Sequence, residues 1–348
     1  MNLDQYRAFF EHLLSIDCTT NNEYEIGETY RNFHEKNGDR VIVQEVEPKR
    51  NNIWALDPNP SKENRVLFST HIDTVPPHLE WTHDKESDCY YGRGACDTKG
   101  GQVTQLMAGQ HLREQGYIVD YLWVVGEEVN HIGAIKSVDY YQENLHDYTY
   151  KMIILCEPTD NRLAEAQKGI LSGLFTFKGK MAHSGYPHLG DDANKKLIQF
   201  CSKMYDVADS MSDETYGSLD VNVGKIDAGY AANVVSDKAV MRCLSRTNSN
   251  HSAFKETLES LLEGDDMSVE WLSDNPPMLF SHVKDLEYSN TYVAKFNTDM
   301  KYLSAIAPGY LMGPGYIIHA HAPKEHIYWN DMLKGKELYI QLVKDVFK

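Results

Sequence analysis

Two periodicities of apolar residues alternate along the first part of the chain. Apolar side chains recur at helical spacing over residues 3–16 and 23–36, which predicts two amphipathic helices. Further along, the predicted segments are strands 40–46, 52–56, 65–70, 121–125 and 151–155 and helices 102–115 and 132–144. Alternation of strands and helices is typical of βαβ units. We therefore predict an α/β fold with a mostly parallel central sheet that is flanked by helices.

The pattern changes near residue 169. An α+β pattern follows, with predicted strands 171–180, 219–226, 232–245 and 267–272 and predicted helices 191–207 and 253–262. A proline-containing linker at residues 273–277 leads to the last part, which ends in a helix predicted over residues 333–347. We therefore predict one domain formed by residues 1–168 and 276–348, with an inserted α+β domain at residues 169–275.

The composition limits the classes of partner. The chain has 348 residues, 42% of them hydrophobic, and a formal net charge of −17. This acidic balance argues against nucleic acid or an anionic membrane as the main partner, although a cation in a cleft can still attract an anionic substrate. No apolar run approaches the ~18 residues of a membrane span. The six cysteines form no Cys-x-x-Cys pair and imply no disulfide framework, so we expect a cytoplasmic protein.

Acidic and histidine side chains follow the predicted strands. His71, Glu127, Glu128 and Glu157 each lie just past a strand, and His321 follows a glycine-rich turn near the end of the chain. In parallel sheets ligands bind beyond the carboxyl ends of the strands, so we expect the first four residues to meet at one crevice. Zinc prefers histidine nitrogen and carboxylate oxygen, and a neighbouring carboxylate can take a proton from water. The pattern therefore predicts a site for metal-assisted hydrolysis.

Each motif taken alone has an ordinary explanation. For His71 and Asp73, a buried histidine with an acidic hydrogen-bond partner is the simpler interpretation. A pair of adjacent glutamates usually lies in a solvated loop, but two acids at the end of an apolar strand are costly unless a cation compensates them. The glycine-rich stretch at residues 92–101 suggests a phosphate-binding loop, but such a loop needs Gly-Lys-Ser/Thr, and here Lys99 is followed by two glycines.

Taken together, the motifs resemble those of a known family. This is the family of dinuclear zinc amidohydrolases that includes acetylornithine deacetylase, succinyl-diaminopimelate desuccinylase, aminoacylase-1 and glutamate carboxypeptidase. The resemblance covers nearly the whole chain. It rests, in this order, on STHIDTVP at 69–76, GRGACDTKG at 92–100, GEE at 126–128, EPT at 157–159, AHSGYP at 182–187, and GPG at 313–315 followed by Ala320, His321 and Glu325.

The resemblance implies a site for two divalent metal ions that share one carboxylate. Zinc is the expected metal, with cobalt or manganese as substitutes. The implied ligands are His71, Asp97 and Glu157 for one ion and Asp97, Glu128 and His321 for the other. Glu127 would be the general base and Asp73 the partner that orients His71. The peptide bond between Asp97 and Thr98 would be cis.

The resemblance also implies roles outside the metal site. The inserted domain would be a lid that commonly forms the surface of a homodimer. His183, on this lid, would stabilise the oxyanion that forms on the substrate carbonyl. Asn233 and Arg246 match lid positions that bind a substrate carboxylate, and Gly313 and Gly315 match a turn at the substrate site.

The last part of the chain helps to choose between two histidines as metal ligand, and it indicates the substrate that the resemblance implies. His319 is a second candidate ligand beside His321, and we prefer His321 because it keeps the family spacing to Glu325. This part is most similar to acetylornithine deacetylase, which implies hydrolysis of an N-acyl-L-amino acid, with N-acetylornithine as the first choice. A dipeptidase or carboxypeptidase that acts on a short peptide is the alternative. A non-catalytic metal-binding homologue is disfavoured, because all five ligands and Glu127 are present.

Overall fold

The structure is a computed structural model that describes residues 1–262, 264–286, 288 and 290–348. The chain divides into two compact units. The first unit consists of Met1–Ala164, Phe280–Tyr292 and Thr298–Lys348, and the second consists of Glu165–Leu279 and Val293–Asn297. The short segment Val293–Asn297 thus belongs to the second unit, whereas the sequence pattern placed it in the first domain.

The helices begin and end near the positions that the apolar spacing predicts. At the start of the first helix, the side chain of Asn2 accepts a hydrogen bond from the backbone N–H of Gln5, and the Gln5 side chain accepts one from the backbone N–H of Asn2. This reciprocal cap satisfies donors that a helix start leaves free. Within the described residues, the α-helices are α1 (Leu3–Ser15), α2 (Tyr24–Lys36), α3 (Gly100–Glu114), α4 (Ile132–Tyr140), α5 (Ala193–Ser210), α6 (His251–Ser260), α7 (Met300–Leu303) and α8 (Trp329–Val346). Shorter helical turns lie at Ala95–Lys99, Tyr141–Leu145, Pro187–Leu189, Ser281–Asp285 and Ile317–His319.

The strands are more numerous than the sequence pattern predicts, because many are two or three residues long. In chain order they are β1 (Arg40–Glu47), β2 (Arg50–Leu56), β3 (Arg65–His71), β4 (Thr82–Asp84), β5 (Cys89–Tyr91), β6 (Ile118–Val124), β7 (Tyr150–Leu155), β8 (Leu163–Gln167), β9 (Gly169–Lys178), β10 (Ala182–His183), β11 (Ser212–Asp213), β12 (Gly217–Ser218), β13 (Asp220–Ala228), β14 (Val234–Val235), β15 (Lys238–Thr247), β16 (Met267–Asn275), β17 (Met278–Leu279), β18 (Thr291–Ala294), β19 (Gly309–Leu311) and β20 (His326–Tyr328). The predicted linker at residues 273–277 is wrong in its first half. There β16 continues to Asn275, because it stays paired with β9 as far as Ile170.

The first unit is built around a six-stranded sheet with the strand order β1-β2-β6-β3-β7-β19. The strands β6, β3, β7 and β19 run parallel, whereas β1 and β2 are antiparallel to each other and β2 is antiparallel to β6. The central strand β3 is buried along its whole length, as expected for a parallel strand that is covered on both faces. The predicted mostly parallel α/β sheet is confirmed.

The carboxyl ends of three neighbouring parallel strands carry the polar residues noted in the sequence. His71 is the last residue of β3, Glu127 and Glu128 come shortly after β6, and Glu157 comes shortly after β7. Because β3 pairs with both β6 and β7, these residues start from one edge of the sheet. The sheet topology therefore places three candidate ligands and the candidate base Glu127 side by side.

The second unit contains an antiparallel sheet with the strand order β13-β15-β9-β16. Burial alternates along β15, as expected for a strand with one covered face. Its buried side chains join those of β9 and of the helices α5 and α6 in one core, which includes Phe175, Phe177, Phe200, Met241 and Phe254. This unit is thus an α+β structure with its own core.

Candidate metal centre

Asp97 lies in a sharp turn at the start of α3. Gly94, just before it, has a φ of 80°, a conformation that glycine adopts at little cost. The peptide bond between Asp97 and Thr98 is cis, as the resemblance implied. The buried Lys99 donates a hydrogen bond of 2.8 Å to the backbone oxygen of Ile16. This contact fastens the turn to the end of α1.

Glu325 fixes the backbone of Asp97. Its Oε1 accepts hydrogen bonds from the backbone N–H groups of Cys96 at 3.1 Å and of Asp97 at 3.0 Å. Its Oε2 accepts a hydrogen bond of 2.7 Å from Arg93. Arg93 and Glu325 are both buried, where a hydrogen bond between charged groups is strong and helps to hold one geometry. In the sequence Glu325 stood out only by its spacing from His321, and its contact with the Asp97 turn depends on the fold.

His71 presents one ring nitrogen to Asp97. Its Nε2 lies 3.0 Å from Asp97 Oδ1, and its Nδ1 lies 2.8 Å from the backbone oxygen of Asp73. A carbonyl oxygen only accepts, so Nδ1 donates and the neutral ring keeps its lone pair on Nε2. Two acceptors that face each other need a proton or a metal ion between them. The carboxylate of Asp73 lies 3.7 Å from Nδ1, so the backbone oxygen of Asp73 makes the shorter contact with His71, and orientation of His71 by the Asp73 side chain stays a prediction.

The carboxylate of Asp73 also holds the loop that follows β6. Its Oδ1 accepts hydrogen bonds from the backbone N–H groups of Gly126 at 2.9 Å and Glu127 at 3.1 Å, and its Oδ2 accepts one of 2.9 Å from Thr20. Burial alone would raise the pKa of Asp73, but His71 and these donors lower it below the usual range. The ionised Asp73 therefore fixes the position from which Glu127 and Glu128 project.

His321 completes a second group of donors. Its Nε2 lies 3.0 Å from Glu128 Oε2 and 3.3 Å from Asp97 Oδ2. Asp97 thus directs one carboxylate oxygen towards His71 and the other towards His321, which is the arrangement of a bridging carboxylate. The ring of the neighbouring His319 instead packs against that of His326, with ring centroids 4.0 Å apart and the rings tilted by 38°. Of the two adjacent histidines, His321 is the one that faces the carboxylates.

Glu157 is buried beside His71 and Asp97, and donor atoms of the three residues all lie within 4.8 Å of one another. Its Oε1 has no hydrogen-bond partner in the described part of the chain.

Gly313 and Gly315 are buried close to this region. A Cβ atom on Gly313 would lie 2.6 Å from the backbone oxygen of Glu157, and one on Gly315 would lie 2.7 Å from the sulfur of Cys96. The two glycines are therefore close-packing positions beside the ligand loops, and their predicted contact with substrate stays a prediction.

The electrostatics of these side chains favour bound cations. Burial and the charge of Glu127 raise the pKa of Glu157 well above its usual value, and burial and the charge of Asp97 raise that of Glu128. Several acids are costly to remove from water together unless cations compensate them. The free Oε1 of Glu157, the lone pair of His71 and a donor set of two imidazoles and three carboxylates fit two divalent cations. The residues that would hold them are His71, Asp97 and Glu157 for one ion and Asp97, Glu128 and His321 for the other.

A third cluster beside these donors was missed in the sequence. It consists of Glu127, His131 and Asp299, whose donor atoms lie within 4.8 Å of one another. The Nδ1 of His131 lies 2.8 Å from Asp299 Oδ1 and 3.8 Å from Glu127 Oε1. Glu127 and His131 are four residues apart, a spacing visible in the sequence. Nothing in the sequence links His131 to Asp299, which lies 168 residues further along.

The remaining predicted residues lie in the second unit. His183 ends β10, which pairs with β14, the strand that directly follows Asn233. His183 is exposed, and its Nδ1 accepts a hydrogen bond of 3.0 Å from the backbone N–H of Gly185. Arg246 is half-buried on a different strand, β15. The structure thus places His183 and Asn233 close together, and the substrate roles of these residues and of Arg246 stay predictions.

Comparison with known proteins identifies the family. Residues 67–345 match the sequence model of peptidase family M20/M25/M40. The chain belongs to this family. It is 29% identical to a peptidase M20 domain-containing protein of Schizosaccharomyces pombe, with 98% of this chain and 84% of the relative covered. It is 28% identical to a probable carboxypeptidase of Aspergillus clavatus, with 99% of this chain and 89% of the relative covered.

Solved structures of similar proteins have the same fold. A tripeptidase of Staphylococcus aureus has a TM-score of 0.81 at 20% identity, with 99% of each chain covered. The aminopeptidase PepT of Bacillus cereus has a TM-score of 0.80 at 19% identity, with 100% of each chain covered. At this level of identity the similarity concerns the fold, and it agrees with the predicted α/β architecture.

Family membership supports the general activity that the sequence predicts but not its most specific form. The chain is a metal-dependent hydrolase of amide bonds, as the sequence implied. The predicted particular closeness to acetylornithine deacetylase is not supported, because similar proteins carry the names of peptidases and carboxypeptidases. Within the described ranges, every helix is too short or too polar to cross a membrane.

Proposed function

We propose that this chain is a dinuclear metallopeptidase that hydrolyses the peptide bond of a short peptide with a free carboxyl terminus, as a carboxypeptidase or dipeptidase does. The observation that carries the proposal is the convergence of five ligand side chains beside Glu127 at one end of the parallel sheet. The names of the fungal relatives, probable carboxypeptidases at 27–29% identity, support a peptide substrate over N-acetylornithine.

The side chains define how the reaction would proceed. Divalent ions held by the five ligands would supply Lewis-acid chemistry, which polarises a carbonyl group and lowers the pKa of water. The backbone of Glu127 is fixed by Asp73, and among the described residues none donates a hydrogen bond to the Glu127 carboxylate. These oxygens are therefore free to take a proton from the attacking water and to return it to the leaving amine.

Residues of the second unit are proposed to act on the substrate itself. His183 would donate a hydrogen bond to the oxygen that becomes negatively charged during attack. Asn233 and Arg246 would bind the terminal carboxylate, because a guanidinium group can pair with both carboxylate oxygens. These assignments rest on the sequence resemblance and on the adjacency of His183 and Asn233.

A substrate panel tests the proposed activity. Protein loaded with zinc or cobalt is incubated with dipeptides, tripeptides, N-acyl-amino acids and N-acetylornithine, and released amino acids or acetate are measured. We expect cleavage of free peptides and at least tenfold lower kcat/KM for the same peptides with an amidated carboxyl terminus. Faster turnover of N-acetylornithine than of any peptide would contradict the proposal.

The role of Glu127 has its own test. We expect Glu127→Gln to reduce kcat by roughly 10²- to 10⁴-fold, the usual range for loss of a general base. The variant keeps its size, its fold and its two metal ions per chain, measured by elemental analysis. Turnover within tenfold of the parent protein would remove Glu127 from the mechanism.

We also propose that the chain forms a homodimer through the second unit. The helix α5 exposes the apolar side chains of Ile198 and Tyr205, which are seven residues apart and therefore lie on one face. The edge strand β13 exposes Ile226. Exposed apolar side chains of this size on one helix face are typical of an interface.

A further inference from the structure

His131 is held in place by both its backbone and its ring. It has a φ of 57° just before α4, and its backbone N–H donates a hydrogen bond of 2.8 Å to the oxygen of Gly126. Its ring Nδ1 lies 2.8 Å from Asp299 Oδ1. Because both its backbone and its ring are held, His131 presents its imidazole ring to neighbouring side chains in a fixed position.

Asp299 is a buried carboxylate that is paired with His131. It precedes α7 and is fully removed from solvent. Its Oδ1 bonds to His131, and its Oδ2 has no hydrogen-bond partner in the part of the chain that the structure describes. An ionised carboxylate without compensation costs several kcal/mol in such a position. His131 therefore compensates Asp299 and is kept protonated by it.

The same ring atom faces Glu127 at a greater distance. His131 Nδ1 lies 3.8 Å from Glu127 Oε1, which is too long for a hydrogen bond. The contact attracts the Glu127 carboxylate but leaves its oxygens free of a donor. Because the short bond on Nδ1 goes to Asp299, this nitrogen carries a proton rather than a lone pair for a metal ion. The cluster is therefore better suited to hold a base than to hold a third cation.

We propose that His131, fixed by Asp299, is a positioning residue that holds the Glu127 carboxylate in place without using its oxygens. The proposal rests on the proposed role of Glu127 as the general base. In this proposal the five ligands hold the metal ions, and the buried His131–Asp299 pair determines the position of the Glu127 carboxylate. A displacement of about 1 Å in such a group can cost about 10²-fold in rate.

The test compares two matched substitutions at buried His–Asp pairs. Asp299→Asn removes the charge behind His131. Asp39→Asn makes the corresponding change at His34, whose Nδ1 lies 2.6 Å from Asp39 Oδ2 in a buried pair that contacts none of the proposed ligands. Asp39 also accepts a hydrogen bond of 2.7 Å from Arg113, so this control disturbs more contacts than Asp299→Asn does. We expect Asp299→Asn to reduce kcat about 10- to 100-fold, the usual effect of a supporting residue. KM should stay within twofold and metal content at two ions per chain, whereas Asp39→Asn should change kcat less than threefold.

A substitute variant and a double variant ensure that every result either supports or contradicts the role of His131. If Asp299→Asn does not fold, His131→Asn replaces it, because asparagine tolerates a positive φ, and the same fall in kcat is expected. When Asp299→Asn is added to Glu127→Gln, the remaining kcat should fall less than twofold, because both changes act through one carboxylate. A kcat of Asp299→Asn within threefold of the parent, a loss of metal, or an additive effect in the double variant would overturn the proposal. An active Glu127→Gln would instead overturn the role of the base itself.

Discussion

Replacing Glu325 by glutamine tests how firmly the Asp97 turn is held. The substitution keeps the size of the side chain but removes the charge that compensates Arg93, which is only 3% exposed. Loss of one partner of a buried ion pair destabilises a protein by about 3–5 kcal/mol. Because the same carboxylate accepts from the backbone of Asp97, we also expect the affinity for zinc to fall about 10- to 100-fold.

The matched control is Asp120→Asn. Asp120 accepts hydrogen bonds of 2.5 and 2.6 Å from Arg65, and both side chains are fully buried. This pair lies within the sheet and contacts none of the proposed ligands. Asp120→Asn should therefore lose a similar free energy of unfolding while keeping the parent affinity for zinc.

Urea unfolding of metal-free protein gives the stability, and zinc titration against a competing chelator gives the affinity. Burial and the charge of Asp97 raise the pKa of Glu325 to about 7 in spite of Arg93, so both measurements are made near pH 8.5, where the carboxylate is ionised. Zinc affinity of Glu325→Gln within threefold of the parent, or an equal loss in Asp120→Asn, would refute the link between Glu325 and Asp97.

Three further predictions concern the metal ions, the glycines and the assembly. Removal of metal with a chelator should abolish peptide hydrolysis, and zinc or cobalt should restore it; full activity in metal-free protein would contradict the site. Gly313→Ala should lower both the melting temperature and the metal content, because its Cβ would lie 2.5 Å from the sulfur of Cys156. By contrast, Gly27→Ala should raise the free energy of unfolding by about 0.5–1 kcal/mol, because it lies within α2 with no atom nearer than 3.9 Å. Ile198→Asp should convert the proposed dimer to a monomer in light scattering, and a parent protein that is already monomeric would disprove the interface.

Much of the candidate site follows from local sequence pattern. An apolar run that ends in His71, Glu127 or Glu157 marks a buried strand with a polar residue at its end, and parallel strands bring such ends together. The period of the apolar positions predicts most helices and the change to an α+β unit. These features depend on residues near one another in the chain, so they can be predicted without coordinates.

Other features depend on residues that are distant in the sequence. The contact of His71 with the Asp73 backbone, the bond from Glu325 to the Asp97 turn and the pairing of His131 with Asp299 were all absent from the sequence prediction. The need for glycine at positions 313 and 315 likewise follows from packing, because only the fold places other atoms where a Cβ atom would stand.

The sequence by itself determined which residue types stand at the ends of the parallel strands, and therefore the chemistry of metal-assisted hydrolysis. Only the tertiary structure decided which groups hold those residues in position. The physical reason is that a ligand set is specified by donor atoms that each strand carries locally. Its precise geometry is specified by buried hydrogen bonds between segments that meet only when the chain has folded.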